Sequence, residues 1–305
     1  MYRTLMVPLD GSVFGEHAIA YAISIAKRAN AVIQLAHVYH PIMLHGADVD
    51  SGLSLGEADA TARKRAQQYL VDTAERIKAV APLDVEPVLL DGRTGSVLVD
   101  HAVKAGVDLI VMTTHGRGPL SQFWLGSVAD ELARTTPMPV ILIRPVDEQA
   151  PAFAIDPPLR RILAPLDGSP LAEQVLEPLL RLGTLVDAEY RLVRVVEPVY
   201  SPNADTWFTP PRPEVDYLAE RRAREYLDQV RQRLQYQATR VDTYIDTHSQ
   251  PAEVILEEAR RYQPDLIALA THGRSGLVRQ VLGSVADKVL RGGTVPVFVH
   301  RPHKT

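Results

Sequence analysis

The sequence contains no cysteine. That excludes a disulfide framework and any thiol nucleophile, and it is compatible with a cytoplasmic setting. No apolar run approaches the roughly 18 residues that mark a membrane-spanning helix. Met1-Tyr2-Arg3-Thr4-Leu5 leads straight into a strand pattern rather than a signal peptide, so no membrane association is expected. Positive charge is not in excess. Lys and Arg total 33 against 37 Asp and Glu, a formal net charge of −4, which argues against a nucleic-acid footprint. Two phosphate-handling signatures are also missing. Gly-x-x-x-x-Gly-Lys-Ser/Thr does not occur, and His115-Gly116-Arg117-Gly118 is not the His-x-Gly-His of nucleotidylyl transferases.

What is present is a repeat. The chain has 305 residues, 46% of them hydrophobic and 23% charged, a balance that fits a globular protein of about two domains. Thr113 to Ser127 reads Thr-Thr-His-Gly-Arg-Gly-Pro-Leu-Ser-Gln-Phe-Trp-Leu-Gly-Ser, and Ala270 to Ser284 reads Ala-Thr-His-Gly-Arg-Ser-Gly-Leu-Val-Arg-Gln-Val-Leu-Gly-Ser. The histidines differ by 272 − 115 = 157 and the last glycines by 283 − 126 = 157. Asp10-Gly11-Ser12 returns as Asp167-Gly168-Ser169, and 167 − 10 = 157. Around these anchors, short apolar runs (Leu5–Leu9, Ala31–Tyr39, Val85–Leu90, Val107–Thr113, Val140–Ile143) alternate with helical spacings (Phe14–Arg28, Glu57–Val80, Ser96–Lys104, Val128–Arg134). The same order resumes after a proline-bearing stretch at 148–158. This pattern predicts two α/β domains, 1–147 and 159–305, joined by a linker at 148–158, each with a parallel sheet covered by helices on both faces.

Each glycine-bearing stretch follows a buried strand and precedes a helix. Glycine allows close backbone approach to a ligand. A helix N-terminus offers unpartnered N–H groups and partial positive charge, which suits phosphate. A serine at the N-cap, here Ser127 or Ser284, can add its hydroxyl. The bland reading is an ordinary βα loop whose turns were copied with the scaffold. Ligands of such sheets sit beyond the carboxyl ends of the strands, where strand order reverses.

Both halves resemble the universal stress protein domain, and the whole resembles a tandem member of that family. The resemblance rests on Val7-Pro8-Leu9-Asp10-Gly11-Ser12 and Ala164-Pro165-Leu166-Asp167-Gly168-Ser169. It rests also on Gly116 or Gly273, nine residues, then Gly126-Ser127 or Gly283-Ser284. The first glycine of the family motif is replaced by Thr113 and by Ala270. The resemblance implies a Rossmann-like sheet of order 3-2-1-4-5 in each half, pairing of the halves through their fifth strands as an intramolecular pseudo-dimer, and a homodimer as a further option. It implies an adenine nucleotide such as ATP, with Mg²⁺. Adenine would lie by the backbone of Val38 or Val195, ribose by Asp10 or Asp167, beside Pro8 or Pro165. Phosphates would lie on the loops carrying Thr113, His115, Gly116, Arg117, Gly126 and Ser127, or Ala270, His272, Gly273, Arg274, Gly283 and Ser284.

Other roles compete for these residues. Asp10 and Asp167 either contact ribose or metal, or serve Asp-Gly turns. His115 and His272 either touch phosphate or cap local backbone. Arg117 and Arg274 either neutralise phosphate or stay solvated. Arg194, where the first half has His37, either pairs with an acid or reaches the crevice mouth. Trp207 and Phe208 either cover apolar surface or form a lid or partner patch. The arginine-rich face of 214–237 alternates with acids and reads as solvated. The leading function is nucleotide binding in a stress or regulatory role without catalysis, at most weak ATPase activity. The alternatives are a non-nucleotide interaction module and, behind it, an adenylyl- or phosphoryl-transfer enzyme. Ala270 against Thr113, and Gly276 against Pro119, favour the second half as the roomier phosphate cradle.

Overall fold

A computed structural model describes residues 2–41, 55–114, 125–145, 149, 151–198, 213–238, 240–273 and 282–303. His115, Gly116, Arg117, Arg274, Trp207, Phe208, Pro119, Gly276 and most of the loop at 40–56 lie outside the described residues. The chain divides into two compact units, Met1–Pro157 and Pro158–Thr305.

In the first unit the elements run β1 (Thr4–Pro8), α1 (Val13–Ala29), β2 (Val32–Tyr39), α2 (Leu55–Val80), β3 (Val85–Asp91), α3 (Thr94–Lys104), β4 (Leu109–Thr113), α4 (Ser127–Thr135) and β5 (Val140–Ile143). All strand pairs are parallel. β2 pairs with β3 and with β1, β1 with β4, and β4 with β5, giving the order 3-2-1-4-5. Leu5, Met6 and Val7 are fully buried, as expected of a central strand covered on both faces. α1 starts where Ser12 Oγ accepts from Gly15 N–H at 3.2 Å, and it ends at Asn30, whose left-handed φ of 51° closes the C-terminus.

The second unit repeats the design as β6 (Arg161–Pro165), α5 (Pro170–Glu173), α6 (Leu176–Val186), β7 (Glu189–Val196), α7 (Pro213–Leu234), β8 (Arg240–Thr247), α8 (Pro251–Tyr262), β9 (Leu266–Ala270), α9 (Ser284–Gly292) and β10 (Val297–His300). Its strand order, β8-β7-β6-β9-β10, is the same. One element differs. The counterpart of α1 is broken at Gln174 and Val175. Pro178 sits four residues beyond Gln174, and a proline ring in a helix collides with the carbonyl at that distance.

The proline-bearing stretch after β5 is packed rather than loose. Phe153 is buried with the Arg76 guanidinium 4.4 Å above its ring, and Asp156 makes a two-point pair with Arg28 at 2.7 and 3.0 Å. That pairing, ahead of bonding to Ser24, holds the Asp156 carboxyl down at about 2.

Candidate functional site

The sheet reverses direction of winding at β1. The loop after β1 and the loop after β4 therefore leave neighbouring strand ends and diverge, opening a crevice at the carboxyl edge. In the first unit that crevice is a cavity of about 1260 Å³, larger than the roughly 300–1,000 Å³ of ordinary small-molecule clefts. Its wall brings together Pro8, Asp10, Val38, Thr113, Gly126 and Ser127. Every first-half site residue expected from the sequence that lies among the described residues lines this one space.

Asp10 stands in a turn with Gly11 at a φ of 80°, which suits glycine. One carboxylate oxygen, Oδ1, accepts from Ser12 N–H at 2.9 Å and from Ser12 Oγ at 2.6 Å. The turn role is thus present at the same time as the place on the cavity wall. Val38 and Thr113 are buried at the ends of β2 and β4.

The expected serine cap needs correction. Gly126 is the N-cap of α4, with no side-chain cap bond, and Ser127 is the first helical residue. Gly126 N–H donates to Thr114 O at 2.8 Å, and Gly283 N–H donates to Thr271 O at 2.8 Å. The backbone is drawn tight against the strand end, so the glycine, not the serine, occupies the cap. At Gly283 a β-carbon would lie 2.9 Å from Thr271 O. Glycine is required there by the protein's own backbone, whatever a ligand adds. Gly126 brings no side chain to cap the first turn of α4, which stands at the cavity wall.

Several wall residues were not expected from the motifs. His37 lines the cavity, and its Nδ1 lies 2.8 Å from Leu9 O. A carbonyl only accepts, so Nδ1 carries the hydrogen and a neutral ring presents Nε2 as acceptor. Tyr69 of α2 meets His37 edge-on, ring centroids 6.4 Å apart, and donates its hydroxyl to Glu16 at 3.2 Å. Burial, then the Glu16 carboxylate, pushes the Tyr69 phenol well above its ordinary range. Glu16 is itself buried and paired with Arg76 at 2.9 Å. Ala62, Arg65 and Ala66 of α2, with His40, Thr94 and Leu98, complete the far side. The four-residue spacing of Ala62, Ala66 and Tyr69's neighbourhood was visible as an apolar helix face, but a face toward core and a face toward a crevice read alike.

In the second unit the described residues stand differently. Asp167 repeats the turn, Oδ1 accepting from Ser169 N–H at 2.9 Å and Ser169 Oγ at 2.6 Å. A β-carbon at Gly273 would overlap the Asp167 carboxylate, so the glycine loop rests directly on the aspartate. Val195 and His272 are buried, Pro165, Ala270 and Gly283 are half-buried, and Ser284 is exposed. Arg194 takes the place of His37, its Nη1 3.4 Å from Leu166 O.

The sequence profile of the universal stress protein family matches residues 1–144 and again 158–301. The chain belongs to the universal stress protein family. A universal stress protein of Mycolicibacterium smegmatis is 26% identical over 306 residues, covering 98% of this chain and 97% of the relative. A universal stress protein of Mycobacterium tuberculosis is 25% identical over 301 residues, covering 97% and 96%. The crystal structure of a universal stress protein from Archaeoglobus fulgidus superposes with a TM-score of 0.69 at 19% identity, covering 98% of both chains, a likeness of fold. These matches run through both halves, so this universal stress protein is a tandem member. No helix among the described residues is long and apolar enough to cross a membrane.

Proposed function

We propose that the first half of this tandem universal stress protein binds an adenine nucleotide in the crevice between the β1 and β4 loops. The observation that carries the reading is the convergence of Asp10, Val38, Thr113, Gly126 and Ser127 on one cavity beside a helix N-terminus whose cap residue brings no side chain. A base fits against the backbone of β2, a ribose against Asp10, and phosphates against the first turn of α4. Magnesium is held by one or two carboxylates together with substrate phosphates and water. Among the described residues no group of three metal-ligating side chains occurs, and Asp10, the carboxylate on the wall, suffices for that mode. Bound Mg²⁺ would supply charge neutralisation to the phosphates. Side-chain size favours the second half; the reading is placed in the first because Thr113 there forms part of the cavity's wall.

The proposed role is binding in a stress or regulatory context, in the cytoplasm, rather than catalysis. His37 is held at the Leu9 carbonyl, and His40 Nε2 meets Thr94 Oγ1 at 2.9 Å only at an exposed site. Acid extraction of purified protein followed by chromatography tests the ligand, and calorimetry with ATP tests affinity. Release of no adenine nucleotide, together with no heat on titration, would leave the interaction-module reading. Turnover well above ~0.1 s⁻¹, set against typical enzyme values of 1–10³ s⁻¹, would make the protein an enzyme.

A further inference from the structure

We propose that the second unit binds an oxyanion, a phosphate or carboxylate group of a small ligand, through Arg194 at the carboxyl end of β7. The position is fixed by the repeat, since 194 − 37 = 157. His37 and Arg194 also reach equivalent acceptors, Leu9 O and Leu166 O, and 166 − 9 = 157. The guanidinium therefore stands where the first unit's histidine helps to wall the cavity.

Arg194 is only 6% exposed. A guanidinium carries five N–H donors and keeps its charge at any physiological pH. Among the described residues, the 3.4 Å contact with Leu166 O is its recorded hydrogen bond, and no carboxylate pairs with it. A buried charge left in that condition is costly. Elsewhere the chain meets its buried charges from within: buried Glu258 is reached by Arg191 at 2.6 Å, and buried Glu16 by Arg76 at 2.9 Å.

A second side chain near the same turn is also incomplete. His272 is 6% exposed, its Nδ1 lies 2.9 Å from Thr271 Oγ1, and among the described residues its Nε2 is buried without a partner. Arg194 touches Leu166 from the β7 side of β6, and Gly273, next to His272, touches Asp167 from the β9 side. An anion at Arg194 gains a charge-assisted bidentate partner while staying on the opposite flank of the turn from the Gly273 contact. The two halves of the chain would then hold different chemistries, a neutral base against His37 and an acidic group against Arg194. This proposal does not rest on nucleotide binding by the first unit.

The test uses the full chain, with Arg194→His, which installs the first unit's residue, and Arg194→Gln. Inorganic phosphate and malonate serve as probes in calorimetric titration and thermal unfolding, at matched ionic strength against chloride. Wild type should bind at least one probe and unfold at a higher temperature in its presence. Both variants should bind that probe about tenfold more weakly or worse, and should be stabilised relative to wild type when no anion is present. ATP affinity should be the same in all three proteins, which separates this site from the first. Response to phosphate alone, or to malonate alone, identifies the ligand's acidic group. Equal anion responses in wild type and Arg194→His, or none in wild type, would overturn the proposal. Should Arg194→Gln fail to fold, Arg194→His carries the comparison.

Discussion

Replacing Gly283 with alanine separates scaffold from ligand in the glycine motif. The added methyl carbon would lie 2.9 Å from Thr271 O, inside the contact distance that real side chains keep. The obstacle is backbone, and the same oxygen accepts Gly283 N–H at 2.8 Å. Relief therefore means moving the cap of α9 away from β9 and stretching that bond. Overpacking of this kind costs about 1–3 kcal/mol, and a weakened hydrogen bond adds up to about 1 kcal/mol. Against this, Gly283 has φ −59° and ψ 145°, which alanine adopts without strain, so the stiffer unfolded chain returns about 0.4–1 kcal/mol. The net expectation is a loss of about 1–3 kcal/mol. Denaturant unfolding of the full chain without ligand measures it, with the exposed neighbour Ser284→Ala as a control expected within about 0.5 kcal/mol of wild type. If Gly283→Ala unfolds like wild type yet binds nucleotide or anion poorly, the steric reasoning is wrong and the glycine is there for the ligand.

Asp10→Ala should weaken ATP binding at least tenfold, about 1.4 kcal/mol, while costing stability through the lost Ser12 contacts; unchanged affinity by calorimetry would remove Asp10 from the site. Burial, with the His303 ring opposing and Glu177 favouring the charge, pushes His300 down to about 4. Below its ordinary value of 6.5 the unfolded chain takes up a proton that the native state refuses, so stability falls from pH 6.5 towards 4, by about 3 kcal/mol on linkage. His300→Leu should flatten that part of the stability–pH curve, and an unaltered slope would locate the acid sensitivity elsewhere. Isolated residues 1–147 should self-associate through the edge strand β5; a strictly monomeric fragment at high concentration would count against pairing through fifth strands.

The alternation of strands and helices in each unit was legible because the repeat doubled every weak signal; the order 3-2-1-4-5 came with the family resemblance. A lone Asp-Gly-Ser after an apolar run is a turn; two, 157 residues apart, mark the same strand end twice. The break before α6 was not announced in that way, since Pro178 alters one copy and a repeat shows only what both copies share. The candidate site was legible where the chain itself supplies the motif, at Asp10, Thr113 and Gly126, and through the family resemblance at Val38. It was not legible on α2. Ala62, Ala66 and Tyr69 have the periodicity of any packed helix face, and only the winding of the sheet decides that they overlook a crevice. The capping serine was misplaced for a related reason. Glycine–serine before a helix usually reads as serine capping, but the short bond from Gly126 to Thr114 O sets the cap one residue earlier.

The duplication also provides an internal control on which differences matter. Contacts that hold the scaffold recur: Asp108 accepts from Arg3 and Thr4 N–H as Asp265 does from Arg160 and Arg161 N–H, and Glu16–Arg76 returns as Glu173–Arg233. Where polarity has changed away from the crevice, the protein has changed with it. Gln34 bonds to Glu86 and His101 in the first unit. Its counterpart Arg191 finds Glu258 where His101 stood, 258 − 101 = 157, with Asp242 3.7 Å away. The new cation arrived together with a new anion. At the crevice His37 became Arg194, and no acid among the described residues came with it. At residue 191 the compensation comes from a side chain; at residue 194 the proposed compensation is a bound anion. On that reading the difference between the halves centres on residue 194, three positions along the same strand from a substitution whose new charge is met inside the chain.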